Sequence, residues 1–139
     1  MFLDLNQPRH AHVDARLRAE QILWLSTVRP DGRPHLVPVW FLWDGMTIDI
    51  FSHPATQKLR NLAAHPAATV ALEAAQDGRD IAIIEGLAQV IEGDEARRVL
   101  PPYWTKYERV FLARGYTPDA VLSGYSTLIR VTPERLLAW

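Results

Sequence analysis

A lysine near the start of a predicted helix is the first feature that could do chemistry. The stretch SHPATQKLRNLAAHP, residues 52–66, follows an apolar strand and indicates a short helix. Pro66 ends it, because a proline disfavours helical backbone at the residue before it. Thr56 is placed as N-cap, with Gln57 and Lys58 in the first turn. A helix N-terminus is electropositive and ordinarily favours acidic side chains, yet this stretch contains none.

Two explanations of Lys58 are open at this point. In the first, the free N–H groups of the helix start, the Ser52 hydroxyl and the Lys58 ammonium form an anion site that best matches a phosphate. Asn61 lies three residues on, beside Lys58 on the helix surface. In the second, Lys58 faces solvent and tolerates an unfavourable dipole interaction of roughly 0.3–1 kcal/mol that salt screens. Spacing alone does not decide between them.

The strand PHLVPVWFLW, residues 34–43, supplies an independent pattern. Pro38 removes a backbone donor from its middle, which predicts an edge, a bulge or a ligand-facing position. Trp40 and Trp43 could line a planar pocket, although each alone is more commonly a core or subunit-interface residue. The strand pattern alone does not identify a ligand, and the helix pattern alone does not either.

Several common catalytic patterns are missing from the sequence. The five histidines show no i, i+4 pair of a zinc-binding helix, and no serine stands in a G-x-S-x-G context. Walker and Rossmann glycine patterns are absent, and Glu85, in an apolar strand, indicates an outward or paired carboxylate. The lack of cysteine excludes disulfides, thiolate metal sites and cysteine nucleophiles. We therefore predict no metal site and no catalytic side chain.

Composition limits the number of domains, the partners and the cellular location that we expect for the protein. A chain of 139 residues suits one domain, residues 1–139, and no repeat or linker divides it. With 15 Lys and Arg against 16 Asp and Glu, nucleic acid is not expected as a partner. The N-terminal segment has no apolar run typical of a signal peptide, and no segment approaches the ~20 apolar residues of a membrane span. We expect a soluble cytoplasmic protein.

The elements that must position these residues are mostly strands. Hydrophobic alternation and turn signals predict a helix over 12–22, strands over 22–29, 34–43, 46–52, 67–74, 80–93 and 125–139, and a helical region over 94–123 broken at Pro101-Pro102. Asp44-Gly45 indicates a hairpin, and Gly86 a bulge or close backbone approach. Without regular strand–helix alternation, six strands favour a mainly β, six-stranded antiparallel barrel with peripheral helices.

From about Ile22 to Glu92 the sequence resembles the pyridoxamine 5′-phosphate oxidase-like superfamily of split-barrel flavoproteins. Within it, the sequence is similar to the branch that uses the deazaflavin coenzyme F420. Three segments carry this resemblance in the same order: DGRPHLVPVWF, TQKLRNL and EGLA. The resemblance implies a six-stranded split barrel that forms a homodimer, with FMN or F420 bound in each of two clefts between subunits.

The resemblance also implies which residues bind the cofactor. The second strand would run along the ring system, partly through its backbone, and the end of the third strand with the helix start would hold the phosphate. Asp80, which opens the fifth strand, lies where the family places a polar contact. The implied cofactor-binding residues are His35, Val37, Pro38, Val39, Trp40, Phe51, Ser52, Thr56, Gln57, Lys58, Asn61 and Asp80.

The sequence departs from the true oxidase pattern at two cofactor contacts. That pattern has an arginine near His35 and a lysine near Trp40, and it has basic residues near the C-terminus where this chain offers only Arg135. Pyridoxamine phosphate oxidation is therefore not the predicted reaction, and the loss of two cations favours F420 over FMN without excluding FMN. We predict a flavin- or deazaflavin-dependent oxidoreductase that transfers a hydride between the cofactor and a small planar substrate.

Three other hypotheses stay open beside the oxidoreductase. The chain could be a non-enzymatic FMN, F420 or planar-ligand carrier or sensor, which would need the same contacts. It could be a dimeric structural barrel with an empty cleft, which the odd placement of Lys58 disfavours. Single-stranded nucleic-acid binding on aromatic residues is a further class, and the near-neutral charge counts against it.

Overall fold

Seven strands form one antiparallel sheet in the computed structural model, which describes residues 2–139. The strands are β1 (Ile22–Val28), β2 (Pro34–Trp40), β3 (Leu42–Trp43), β4 (Ile48–Ser52), β5 (Ala67–Leu72), β6 (Ala82–Ile91) and β7 (Thr127–Ala138). The helices are α1 (Pro8–Ala19), α2 (Gln57–Ala64), α3 (Asp94–Ala113) and α4 (Pro118–Gly124). The sheet order is β2-β1-β5-β6-β7-β4-β3, and the sheet curls into a half-barrel. The fold is mainly β with helices, as predicted.

The prediction of six strands is wrong, because the predicted second strand is divided at Phe41. The Phe41 N–H donates to the Tyr107 hydroxyl at 2.8 Å, and the Phe41 carbonyl lies 2.7 Å from that hydroxyl and 3.0 Å from Lys106 Nζ. Because α3 occupies both backbone groups of Phe41, this residue leaves the strand ladder. β2 pairs with β1, and β3 pairs with β4 at the other end of the sheet order. This corner therefore joins the two ends of the curled sheet.

The first hydrophobic core lies on one face of the sheet. Along β1, Leu23 and Leu25 are fully buried while Ile22 and Trp24 are exposed, which is the alternation of a strand with one covered face. Leu17 of α1 joins this core, as do Val13 of α1 and Leu62 of α2. α1 begins at Pro8, earlier than the predicted residue 12, since a proline costs little in a first helical turn.

A second core lies under α3 and α4. Its buried members on the sheet are Phe51 and Leu128, and those on the helices are Ala96, Val99, Leu100, Tyr103, Tyr107, Phe111 and Val121. α3 is continuous through Pro101 and Pro102, so the predicted break is wrong. Each proline removes one helical hydrogen bond at a cost of ~3 kcal/mol, and the buried face of the helix offsets that cost.

Gly86 marks a close backbone approach, which confirms that prediction. The pairing of β6 with β7 shifts register between Glu85 and Gly86. A Cβ atom at residue 86 would collide with the carbonyl oxygen of Thr132 on β7. Only glycine therefore allows the two longest strands to pair on both sides of this irregularity. None of the helices within residues 2–139 combines the length and the apolar character of a bilayer-crossing segment.

Candidate functional site

A cleft of about 380 Å³ opens where the ends of β2 and β4 meet α2, α3 and α4. Its walls are mainly apolar and aromatic, formed by Ile22, Pro38, Val39, Trp40, Phe51, Tyr103, Phe111, Tyr116, Val121 and Tyr125. Its remaining lining residues are Ser52, His53, Lys58 and Arg114. This volume and this mixture, apolar walls with a few polar groups, are typical of small-molecule sites.

Half of the predicted cofactor-binding residues line this cleft. β2 contributes Pro38, Val39 and Trp40, and the end of β4 with the first turn of α2 contributes Phe51, Ser52 and Lys58. β2 is at one end of the sheet order and β4 is next to the other end, so the two strands meet only because the sheet curls. The fold thus brings the two patterns singled out in the sequence to one place.

Lys58 is a half-buried cation without an acidic partner. Burial lowers the pKa of the Lys58 ammonium below its usual value, and no carboxylate within residues 2–139 forms an ion pair with it. Desolvating a charge without pairing it is unfavourable. An anion in the cleft would relieve this cost.

The start of α2 has no side-chain cap. Thr56 is the N-cap residue, as predicted, but its side chain accepts no backbone N–H. Instead, the Thr56 hydroxyl lies 3.1 Å from Ser52 Oγ, which itself donates to the His53 carbonyl at 2.7 Å. Because Ser52 has a single hydroxyl proton, Thr56 is the donor in the first of these bonds. The free N–H groups at the start of α2 therefore have no acceptor from the Thr56 side chain. They lie beside Lys58, which has no acidic partner within residues 2–139.

Gln57 and Asn61 lie behind the cleft. Asn61 is fully buried, accepts a hydrogen bond from Gln57 Nε2 at 2.7 Å and donates to Thr27 Oγ1 at 2.9 Å. These bonds attach α2 to β1 and so fix the position of Lys58 one turn earlier. A direct cofactor contact by Gln57 or Asn61 stays a prediction.

His35 and Val37 lie on β2 but outside the cleft lining. The Nδ1 atom of His35 is buried and has no hydrogen-bond partner within residues 2–139. Burial, with smaller contributions from Arg29 and Lys58, lowers the pKa of the His35 imidazole. Val37 is partly buried and pairs with Leu25 of β1. Their predicted contacts to a cofactor stay predictions.

Asp80 is not brought to the cleft by this chain. Its carboxylate is bound by His12 Nε2 at 2.7 Å and by Arg16 Nη1 at 3.0 Å, and the His12 hydrogen bond is the main cause that lowers its pKa. It borders a separate cavity whose lining includes Trp139 and Arg79. Its predicted polar contact to a cofactor stays a prediction, since the resemblance places the cofactor between two subunits.

The aromatic wall from α3 and α4 was not predicted as part of the site. Trp40 stacks on Tyr107 with ring centroids 4.9 Å apart and meets the edge of Phe111 at 5.4 Å. The Arg114 guanidinium lies 5.6 Å from the Trp40 ring. Trp43, in contrast, is 3 % exposed and belongs to the first core, so it does not line the pocket. The available signal was the spacing of Tyr103, Tyr107 and Phe111 along one helix face.

His53 links β4 to the end of α4 at the edge of the cleft. Its Nδ1 atom is hydrogen-bonded to the Gly124 carbonyl, and its ring lies 4.0 Å from that of Tyr125. A carbonyl oxygen can only accept, so Nδ1 carries the proton and Nε2 is the acceptor of the neutral ring. This contact holds α4 over the cleft.

A curled antiparallel sheet with an aromatic and cationic cleft at its corner is the architecture of a split-barrel protein. The family model described as pyridoxamine 5′-phosphate oxidase matches residues 10–139, and the chain therefore belongs to this family. The resemblance to the split-barrel superfamily that was noted in the sequence is confirmed. No match was found among curated proteins.

Solved structures share the fold at low sequence identity. A conserved hypothetical protein from Mycobacterium tuberculosis is 25% identical, with a TM-score of 0.76 over 93% of this chain and 82% of that one. A protein named F420 reductase is 23% identical, with a TM-score of 0.70 over 89% and 94%. HutZ, described as the heme storage protein of Vibrio cholerae, is 18% identical, with a TM-score of 0.76 over 94% of both chains.

Proposed function

We propose that this chain binds a flavin-type cofactor, FMN or F420, in the cleft and transfers a hydride between it and a small planar substrate. One observation carries the proposal: Lys58 is a half-buried cation without an acidic partner in residues 2–139, at an uncapped helix start that opens onto an aromatic cleft. A phosphate would pair with the ammonium and accept from the helix N–H groups.

The residues of the cleft fit both the phosphate and the ring system of a flavin-type cofactor. Lys58 with the α2 N-terminus suits the phosphate, and Ser52 lies beside them. The edge strand β2 offers Pro38, Val39 and Trp40 for the ring system. A planar ring against these side chains would be shielded from water on that side.

In this proposal, the chain's own residues bind and orient while the cofactor supplies hydride transfer when bound. The α3 wall covers one side of the cleft, and Trp40 is fixed between Tyr107 and Phe111. The family's lysine contact is replaced by the indole of Trp40, which cannot bind an anion as a cation does. We therefore do not assign pyridoxamine phosphate oxidation to this chain, and a neighbour named F420 reductase is in keeping with the deazaflavin alternative.

A non-enzymatic carrier or sensor is the second candidate. The cleft lining contains no carboxylate, and its polar groups serve binding as well as they serve catalysis. A structural neighbour described as a heme storage protein is in keeping with a binding role on this fold.

Titration of the purified protein with FMN and with F420, followed by fluorescence, tests the proposal. We expect saturable binding of at least one of them, and oxidation of the reduced, bound cofactor on addition of planar acceptors. Binding without turnover across a panel of acceptors would favour the carrier. Absence of binding for both cofactors would contradict the proposed function.

We also propose that the chain forms a homodimer through the outer face of β1 and β2. Ile22 is 47% exposed there and Leu36 60% exposed, beside the half-exposed Trp24. A second copy would cover this apolar face and border the cleft, because Ile22 also lines it. By light scattering after gel filtration, we expect a dimer that Leu36→Glu converts to monomer and that Met46→Glu, on the β3–β4 turn, leaves intact. A monomeric wild-type protein would refute the dimer.

A further inference from the structure

Tyr103 presents a hydroxyl without a protein partner to the cleft. Its side chain is only 4% exposed, and its hydroxyl has no hydrogen-bond partner anywhere in residues 2–139, although the residue lines the cleft. Its ring is held by Phe51 and Tyr107, each with ring centroids 4.9 Å away. The hydroxyl oxygen is not among the enclosed, unpartnered polar atoms of the described residues, so it is open to the cleft. A ligand in the cleft can therefore accept from it in place of water.

The Tyr103 hydroxyl can act as a donor at any ordinary pH. Burial, with smaller contributions from Tyr107 and Tyr125, raises the pKa of this phenol well above its usual value. The group therefore stays neutral and keeps its proton. An oxygen acceptor in the cleft is its natural partner.

Arg114 supplies a second group of the cleft lining that has no acidic partner. Its guanidinium lies 5.6 Å from the ring of Trp40, and no acidic residue within residues 2–139 forms an ion pair with it. The cleft lining contains two cations, Lys58 and Arg114, and no carboxylate. Because the proposed function assigns Lys58 to the cofactor phosphate, Arg114 is left for another anion.

We propose that Tyr103 and Arg114 recognise the substrate, and that the substrate is a planar aromatic carboxylate. The Tyr103 hydroxyl donates to a carboxylate oxygen, Arg114 balances the negative charge, and the aromatic ring packs against Trp40. The inference rests on the proposed function in reserving Lys58 for the cofactor.

Three probes of one shape separate these contributions. 2-Naphthoate carries an oxygen acceptor and a charge, 2-acetylnaphthalene carries the acceptor alone, and 2-ethylnaphthalene carries neither. Their affinities are measured by equilibrium dialysis for the wild type, Tyr103→Phe, Arg114→Gln and Arg98→Gln. Arg98 is an exposed cation on the same helix as Tyr103 and is outside the cleft lining, so its variant is the charge-matched control.

The proposal predicts a distinct pattern across the probes. Tyr103→Phe weakens 2-acetylnaphthalene by about 3- to 10-fold and 2-naphthoate, whose acceptor is charged, by about tenfold or more, and it leaves 2-ethylnaphthalene unchanged. Arg114→Gln weakens 2-naphthoate alone, by about fivefold, as expected for a solvent-accessible ion pair. Arg98→Gln changes none of the three. Failure of 2-naphthoate to bind the wild type, or equal weakening of all three probes by Tyr103→Phe, would overturn the proposal.

Cofactor titrations of Tyr103→Phe separate this inference from the proposed function. We expect unchanged FMN and F420 affinities. Weaker cofactor binding with unchanged 2-naphthoate binding would mean that Tyr103 donates to the cofactor, which overturns the substrate assignment while supporting the proposed function. If the probe pattern holds but neither cofactor binds, the cofactor proposal fails and the cleft is an aromatic-acid site.

Discussion

Replacing Lys58 by glutamine should weaken binding of FMN, or of F420 if that is the cofactor bound, by about 10- to 100-fold, because hydrogen bonds to charged groups contribute about 1.5–3 kcal/mol. Glutamine keeps a long polar side chain and removes only the positive charge. The ammonium has no acidic partner in residues 2–139, so its loss breaks no ion pair in the protein. Fluorescence titration of the variant and the wild type gives the ratio of dissociation constants.

Two controls assign that loss to the phosphate. Arg98→Gln removes the same charge from an exposed position outside the cleft lining and should leave cofactor affinity unchanged. Riboflavin has the ring system of FMN but no phosphate, so Lys58→Gln should not alter its affinity. If FMN and riboflavin weaken equally, Lys58 acts on the ring or on the shape of the cleft, and the phosphate assignment is wrong.

Local patterns predicted the parts of the site that depend on neighbouring residues. Lys58 was conspicuous because the charge preference of a helix start is a local property, and Pro38 because a proline in a strand loses a ladder bond. Gly86 was identified for a similar reason. Each of these features can be recognised from the residue itself and its near neighbours in the sequence, or from the backbone hydrogen bonds that a strand needs.

The corner at Phe41 could not be predicted in this way. The groups that remove Phe41 from the ladder are on Lys106 and Tyr107, 65 and 66 residues away. Nothing within the apolar run PVWFLW marks one residue as the break. The same corner separates Trp40, which lines the cleft, from Trp43, which belongs to the first core, so their different roles were also hidden.

The far wall of the cleft escaped prediction for a related reason. An aromatic stripe at helical spacing is typical of a helix packed on a core, and Tyr103, Tyr107 and Phe111 are core residues. That one of the three also presents an unpaired hydroxyl to a cleft depends on where α3 lies. Asp80 is the opposite case: the resemblance implied a cofactor contact, whereas this chain bonds it to His12 and Arg16.

Removing the Tyr107 hydroxyl should cost far more stability than removing that of Tyr103. Tyr107→Phe leaves the Phe41 N–H without its acceptor and the Gln21 carbonyl, 2.6 Å from the hydroxyl, without its donor. A buried N–H without its acceptor and a part-buried carbonyl without its donor predict a loss of about 2–4 kcal/mol in the free energy of unfolding. The Phe41 carbonyl keeps its bond from Lys106. Urea unfolding followed by circular dichroism measures the difference.

Tyr103→Phe is the matched control, since it deletes the same atom from the same helix one turn earlier. Its hydroxyl has no partner within residues 2–139, so we expect a change within about 0.5 kcal/mol or a small gain. The pair thus separates two roles on one helix face: Tyr107 stabilises the corner that positions Trp40, while Tyr103 is available to a ligand. Similar losses for the two variants would show that the Phe41 corner is not held by the Tyr107 hydroxyl.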